Sequence, residues 1–379
     1  MLYTPAFAVL YIANLSLVSS YSAFFLFPLF ITTNGGSKQD IGIIMGIFAL
    51  ASALCRPWVA EMIDRLGRKR SFSLGCLIMT LLPLLHLLLS GPLKNYYLPL
   101  LTMRIVHGIG LAICFTAVFT FIVDLIPHDR LNEGIGMFGT SGLIGLAVGP
   151  AVAEPVLETF GFQAFFLTAT AMAALGLLIH LPINDRHQLI TDQATPSFFS
   201  LLKQRKQLVC GGLAMLFGFG LAATGNFIAP LAEDRQLSYI SFYYLAYSCA
   251  AVGVRFSAGR LADRIGENQI IPWGLILAAS GLLLIPLVHG DLLLIAVGFI
   301  FGIGHGLLFP ALNAMAVRDE PYSIRGKVTG IFTGGIDSGA FLGALILGQV
   351  GELAGYTPLF ICAGLVVSTG LVLFRVRPG

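Results

Sequence analysis

Apolar residues run through this chain in long tracts, broken by short polar intervals that recur at a nearly regular spacing. Read from Pro5, the pattern predicts helices over 5–32, 41–63, 71–90, 96–125, 132–157, 161–182, 207–231, 239–262, 268–289, 291–317, 327–350 and 355–375, labelled α1 to α12 in that order. Each tract is long enough for the about 20 residues that a bilayer-crossing helix requires. Twelve crossings and their connectors use up the 379 residues, leaving no room for a sizeable soluble domain. Composition agrees: 56% of residues are hydrophobic and 11% charged, where a soluble domain carries roughly 25% charged residues. A soluble core stops growing at about 250–300 residues, so the bilayer is the solvent that fits, and the fold class expected is an all-α membrane protein.

The placement of charge orients the spans. Alternate connectors hold sixteen Lys and Arg in one set, including Arg65, Arg68, Lys69, Arg70, Lys203 and Arg325, against Lys38, Lys94 and Arg235 in the other. Basic loops stay cytoplasmic, so a multi-pass protein of a bacterial inner (plasma) membrane is expected, with both termini in the cytoplasm. α1 is too long for a signal-peptide core and lacks a small-residue cleavage site, so it is read as a retained span. The six cysteines are scattered singly through apolar tracts and show no metal-ligand spacing.

An internal repeat organises the chain. Arg56, Asp64, Arg65 and Gly67 near the end of α2 recur 199 positions later as Arg255, Asp263, Arg264 and Gly266 near the end of α8. His107-Gly108 of α4 recurs as His305-Gly306 of α10, and Gly136-x-Phe138, Gly145 and Gly149 of α5 recur as Gly330-x-Phe332, Gly339 and Gly343 of α11. The chain is therefore read as a six-helix unit over 1–183, a polar cytoplasmic linker over 184–206 and a second six-helix unit over 207–379. Parallel repeats of this kind place a binding site where the halves meet, near the bilayer midplane.

The segment Asp64-Arg65-Leu66-Gly67-Arg68-Lys69-Arg70 between α2 and α3 resembles the signature loop of the major facilitator superfamily, Gly-x-x-x-Asp-Arg-x-Gly-Arg-Lys/Arg, with Ala60 in place of its first glycine; the second copy restores that glycine as Gly259. Arg104-Ile-Val-His107-Gly108 resembles the family's α4 motif, with His107 where glutamine is more usual. Gly136, Gly145, Gly149 and Pro150 resemble the α5 motif associated with antiporters, but Ala153-Glu154 replaces its closing Gly-Gly. The resemblance implies two pseudo-symmetric six-helix bundles rocking about a central site, in a monomer similar to the drug and sugar-efflux branch. It further implies a latch in which Asp64 docks at the start of α11 and Arg68 pairs with Asp124. Arg65, Gly67, Asp263 and Arg264 belong to the same latch motif. Glu267 stands where the first copy has Arg68, so the second latch should be weaker or differently paired.

Charges inside spans are costly, at least about 2.5–3.5 kcal/mol at the bilayer centre, and so mark function. Asp337 of α11 lies opposite the Gly335/Gly339/Gly343 stripe at 100° per residue and is expected to face a cavity as a proton carrier. Arg104, His107 and Glu154 are further candidates for proton coupling. Arg56 and Arg255 are expected to snorkel to the cytoplasmic surface. Asn14, Tyr21, Asn226, His305 and Asn313 are candidates for lining a substrate site. Gly145, Gly149, Pro150, Gly335, Gly339 and Gly343 are candidates for close helix packing.

These features point to proton-coupled export of a small organic molecule. Uptake by symport or facilitation on the same fold is the nearest rival. A membrane-embedded enzyme or lipid-handling protein would need a catalytic dyad or metal cluster in the spans, and a receptor would carry an output domain. Protons, a small-molecule substrate and the lipid bilayer are the expected partners, with no nucleic acid, no cofactor and no metal.

Overall fold

A computed structural model describes residues 4–127, 130–183, 196–318 and 320–375; the side chains at 60, 64, 131, 132, 257–265, 322 and 323 lie outside the description. α1 spans Pro5–Thr33 in three pieces. Thr4 accepts the Phe7 N–H to start it, and a 3₁₀ turn at Phe24–Leu26 interrupts it. Pro28 has no N–H for the Phe24 carbonyl, and the chain tightens there instead of continuing as a regular helix. α2 is Lys38–Leu66, begun by a capping box between Ser37 and Asp40. α3 is Arg68–Leu85, α4 Tyr97–Leu125, α7 Arg205–Asp234, α8 Ser241–Ile265, α9 Glu267–Leu284 and α10 Asp291–Val317. α11 is Tyr322–Ala354, and α12 is Tyr356–Ser368 extended by Gly370–Arg375.

α5 and α6 form one run, Leu131–His180, broken only at Gly161, where φ is 76° and ψ −174°. Among the described residues ten helices are long and apolar enough to cross a membrane. The Leu131–His180 run counts as two crossings, and α8 completes the expected twelve. The connectors are shorter than the sequence suggests. Gly67, Gly161, Gly266 and Gly355, with φ of 87°, 76°, 78° and 84°, each reverse the chain in a single residue. An L side chain would be strained at that φ, so these junctions depend on glycine. Gly67 matches Gly266 at the 199-residue offset and Gly161 matches Gly355 at 194, so both halves fold with the same hinge device.

Within each half a glycine stripe sets the closest helix pair. On α5, a Cβ at Gly145 would lie 2.9 Å from the Leu15 carbonyl oxygen of α1, and one at Gly149 2.3 Å from that of Ser19; Pro150 follows directly in the same helix. On α11, Gly335, Gly339 and Gly343 press in the same way on Gly211, Met215 and Phe219 of α7. The opposite faces of α11 and α5 meet the other half: α11 packs on α2 and α5 on α8. There a Cβ at Gly42 would lie 2.4 Å from the Ala344 oxygen, and one at Gly348 2.9 Å from the Gly42 Cα. These two interfaces join the halves.

Gly339→Ala should cost at least about 1–3 kcal/mol, because its Cβ would fall 1.8 Å from the Met215 backbone oxygen, and should lower the melting temperature of the purified protein. Gly142→Ala, where a Cβ meets nothing within 4 Å, should leave it unchanged. Equal melting curves for the two variants would contradict the packing described.

Candidate functional site

The two ends of the bundle are named here by their loops: the basic end carries the Gly67 and Gly266 turns, and the far end lies opposite. Midway between them an ion pair crosses from one half to the other. Arg56 of α2 donates to Asp337 Oδ2 of α11 through Nε at 2.8 Å and Nη2 at 2.5 Å, and the Ser52 hydroxyl donates to the same oxygen at 2.9 Å. The side chains are 14% and 20% exposed. Asp337 does lie opposite the Gly335/Gly339/Gly343 seam, but it meets α2 rather than an open cavity. Arg56 does not snorkel: a carboxylate at hydrogen-bond distance is a nearer partner than bulk water roughly ten residues away. Ser52 was not legible as a site residue, and Arg56 was signalled only by its recurrence as Arg255.

Arg104 of α4 is 1% exposed and makes no ion pair among the described residues. Its Nη1 lies 3.1 Å from His107 Nδ1, its Nη2 3.4 Å from Met45 Sδ, and its guanidinium 4.4 Å from the Phe48 ring centre, with Phe24 and Phe27 also around it. A guanidinium offers only donors, so His107 Nδ1 accepts and the imidazole is neutral in this arrangement. Neither of these two candidates for proton coupling touches Asp337, whose partners are Arg56 and Ser52. Tyr21 stacks on Phe48 with centroids 5.8 Å apart, at the edge of the same cage.

In the second half, His305 of α10 is hydrogen-bonded through Nδ1 to the Tyr247 hydroxyl of α8 and edged by Phe217 and Phe309. Arg255 of α8 reaches across to Gly139 of α5. Asn14 donates to Ser141 Oγ at 2.7 Å, a contact inside the first half, and its Oδ1 is unpaired. Asn226 is buried in α7, and the buried Oδ1 of Asn313 has no hydrogen-bond partner.

At the far end Glu154 of α5 is buried. Its two carboxylate oxygens accept the backbone N–H groups of Ile240 at 2.6 Å and Ser241 at 2.7 Å, at the first turn of α8. A carboxylate there satisfies orphan donors and meets the positive end of the helix dipole. At the α2–α11 interface Lys38 N–H donates to Glu352 at 2.9 Å, and Phe25 of α1 stacks on Tyr244 of α8 at 5.1 Å. Together with the Gly42–Gly348 approach, these contacts shut the far end.

At the basic end Arg68 pairs with Asp124 and Arg65 with Glu61 of its own helix. Arg68 and Asp124 belong to the same half, so their bond ties α3 to α4 and does not by itself bridge the halves. The side chains of Asp64, Asp263 and Arg264 lie outside the described residues. The second half inverts the pair: Glu267 at the start of α9 binds Arg318 just beyond α10. Glu267 and Arg318 agree with the helix dipoles, whereas Arg68 at a helix start and Asp124 at a helix end oppose them and depend on each other.

A model of the Major Facilitator Superfamily matches residues 9–291 and again 210–379. Multidrug resistance protein MdtG of Enterobacter lignolyticus (strain SCF1) is 27% identical over 96% of this chain and 89% of its own. Staphylopine export protein of Staphylococcus aureus (strain Mu50 / ATCC 700699) is 21% identical over 98% and 96%. Among solved structures, a POT family transporter in complex with 5-aminolevulinic acid superposes with a TM-score of 0.81 at 18% identity, covering 99% of this chain and 96% of that one.

Asp124→Asn should destabilise the protein by about 1–2 kcal/mol, a buried-pair loss discounted for the exposure of Asp124. The swap Arg68→Asp with Asp124→Arg should recover most of it by setting both charges with the dipoles. Thermal unfolding of the three proteins measures this; a swap less stable than the single variant would contradict the dipole argument.

Proposed function

This chain belongs to the major facilitator superfamily, and on that premise we propose that it exports a small organic molecule in exchange for protons, by alternating access in a bacterial inner membrane. The observation that carries the reading is the Arg56–Asp337 pair, a titratable carboxylate held between the two halves at mid-depth. The names of relatives, multidrug resistance and staphylopine export, are in keeping with export. The distribution of Lys and Arg supports a cytoplasmic basic end with both termini on that side, and the internal repeat supports units at 1–183 and 207–379 around a linker at 184–206.

The closed far end then makes this the cytoplasm-facing state. In it Asp337 is ionised, and its bonds to Arg56 and Ser52 tie α11 to α2. An empty, deprotonated carrier is thereby kept from turning over, which prevents a futile leak of substrate or charge. Substrate entering from the cytoplasm competes for the halves' interface and carries the molecule to the outward-facing state. There a proton neutralises Asp337, the attraction to Arg56 falls away, and substrate is released. The protonated carrier returns, and the proton leaves on the cytoplasmic side. Glu154 holds the outer gate by capping α8, and the Arg68–Asp124 pair keeps α3 and α4 rigid beside the cytoplasmic turn.

Two measurements test this. In energised everted vesicles, Asp337→Asn should abolish uphill transport and proton release while counterflow exchange persists in part. Loss of neither removes Asp337 from the scheme, and substrate movement with the proton rather than against it would make the protein a symporter. Glu154→Gln, whose amide nitrogen would confront an N–H it cannot accept, should weaken the outer gate. A cysteine placed at Tyr21 should then react several-fold faster with an impermeant thiol reagent added outside; an unchanged rate would rule out the gating role.

A further inference from the structure

Arg255 lies ten residues before the end of α8 at Ile265, as Arg56 lies ten before the end of α2 at Leu66. Both therefore stand about 15 Å inside the basic end, at the level of the Asp337 pair. Arg56 faces α11 and finds Asp337. Arg255 faces α5, where its Nη1 is 2.5 Å from the place a Gly139 side chain would begin. The 194-residue offset that aligns α5 with α11 puts Leu143 where α11 has Asp337.

Among the described residues no carboxylate answers Arg255. It makes no ion pair among the described residues, and its buried Nε has no hydrogen-bond partner. The ring of Phe309 lies 5.8 Å from its guanidinium, and a quadrupole does not replace an anion. Space is left beside it: a Cβ on Gly136 or Gly142 would meet nothing within 4 Å, and these glycines flank Gly139 on one face of α5. Tyr247, His305, Phe309 and Phe217 form an aromatic wall on the other side. The charge count at this depth is uneven as well. Among the described residues Arg56 and Arg255 are opposed there by Asp337 alone, and Glu154 is engaged at the far end with the N-terminus of α8.

We propose that Arg255 is the anion subsite of the transport cavity and that the substrate is a small organic anion with a flat apolar body. Its carboxylate or phosphonate takes the position against Arg255 that Asp337 takes against Arg56, with a fork-on-fork geometry available to the guanidinium, and its body lies against Phe309 and Tyr247. The depth of Arg255 places the subsite well inside the headgroup level, so the anion is a soluble one and not a lipid phosphate. The word substrate rests on the exporter reading above; the binding itself does not.

The test is equilibrium binding to the purified full-length protein in lipid-free detergent, read by thermal shift and calorimetry. Benzoate, cinnamate and phenylphosphonate are the probes, with benzamide and cinnamamide as neutral counterparts. At least one anion should stabilise the wild-type protein saturably while its amide does not. Arg255→Gln should weaken that binding by about tenfold or more. Leu143→Asp, which supplies the missing carboxylate from within, should abolish it, and Leu143→Asn should keep it within about threefold. Absence of anion-selective stabilisation across the panel, or equal binding by Arg255→Gln, overturns the proposal. So does stabilisation by phosphatidylglycerol in place of the soluble anions, which would assign the subsite to lipid. No gradient or direction of transport enters this assay, so its failure leaves the vesicle result standing, and failure of export leaves the binding result standing.

Discussion

A carboxylate in the middle of a bilayer must find a cation, and in this protein the cation is on the other half of the molecule. That constraint organises the interface. For Arg56 to reach Asp337, α2 and α11 must run side by side, and the close approach of Gly42 to Ala344 and Gly348 makes this possible. The pair is attractive only while Asp337 is ionised. A proton therefore changes the force between the halves directly, without a relay through distant residues.

The backbone devices of the two halves are nearly the same and their charges are not. Each half turns at a positive-φ glycine after its second and fifth helices, and each packs its fifth helix on its first through a glycine stripe. The differences fall where ions meet helices. Asp337 corresponds to Leu143, Arg68 to Glu267, and Glu154 to Gly348. The symmetric features build the scaffold, and the asymmetric ones set which ion pairs and helix caps join the halves.

Much of the scaffold was legible in the sequence because apolar periodicity and recurring glycines are local signals. The twelve spans, the repeat and the packing role of Gly145 and Gly339 needed no knowledge of partners. The site was less legible, because a side chain's role there depends on what faces it. Asp337 was found from its cost in a span, but its partner Arg56 was assigned to the surface, since nothing in a single helix tells which residue of another half it meets. Glu154 was read as a departure from a glycine pattern; only the three-dimensional structure brings it to the backbone of Ile240 and Ser241. Arg104 stands out in the sequence as an intramembrane charge, yet among the described residues its companions are His107 and aromatic rings and not the acid that charge alone suggests.

The central claim is that protonation of Asp337 releases the halves, and distance measurement between spin labels at the far end tests it most directly. Labels at Leu88 and Leu292, both exposed there, with the exposed Cys249 replaced, report opening as a lengthened distance. The account predicts that acidification lengthens the wild-type distribution and that Asp337→Asn shows the longer component at every pH. A wild-type distribution that ignores pH, or an Asp337→Asn distribution that matches wild type throughout, would contradict it.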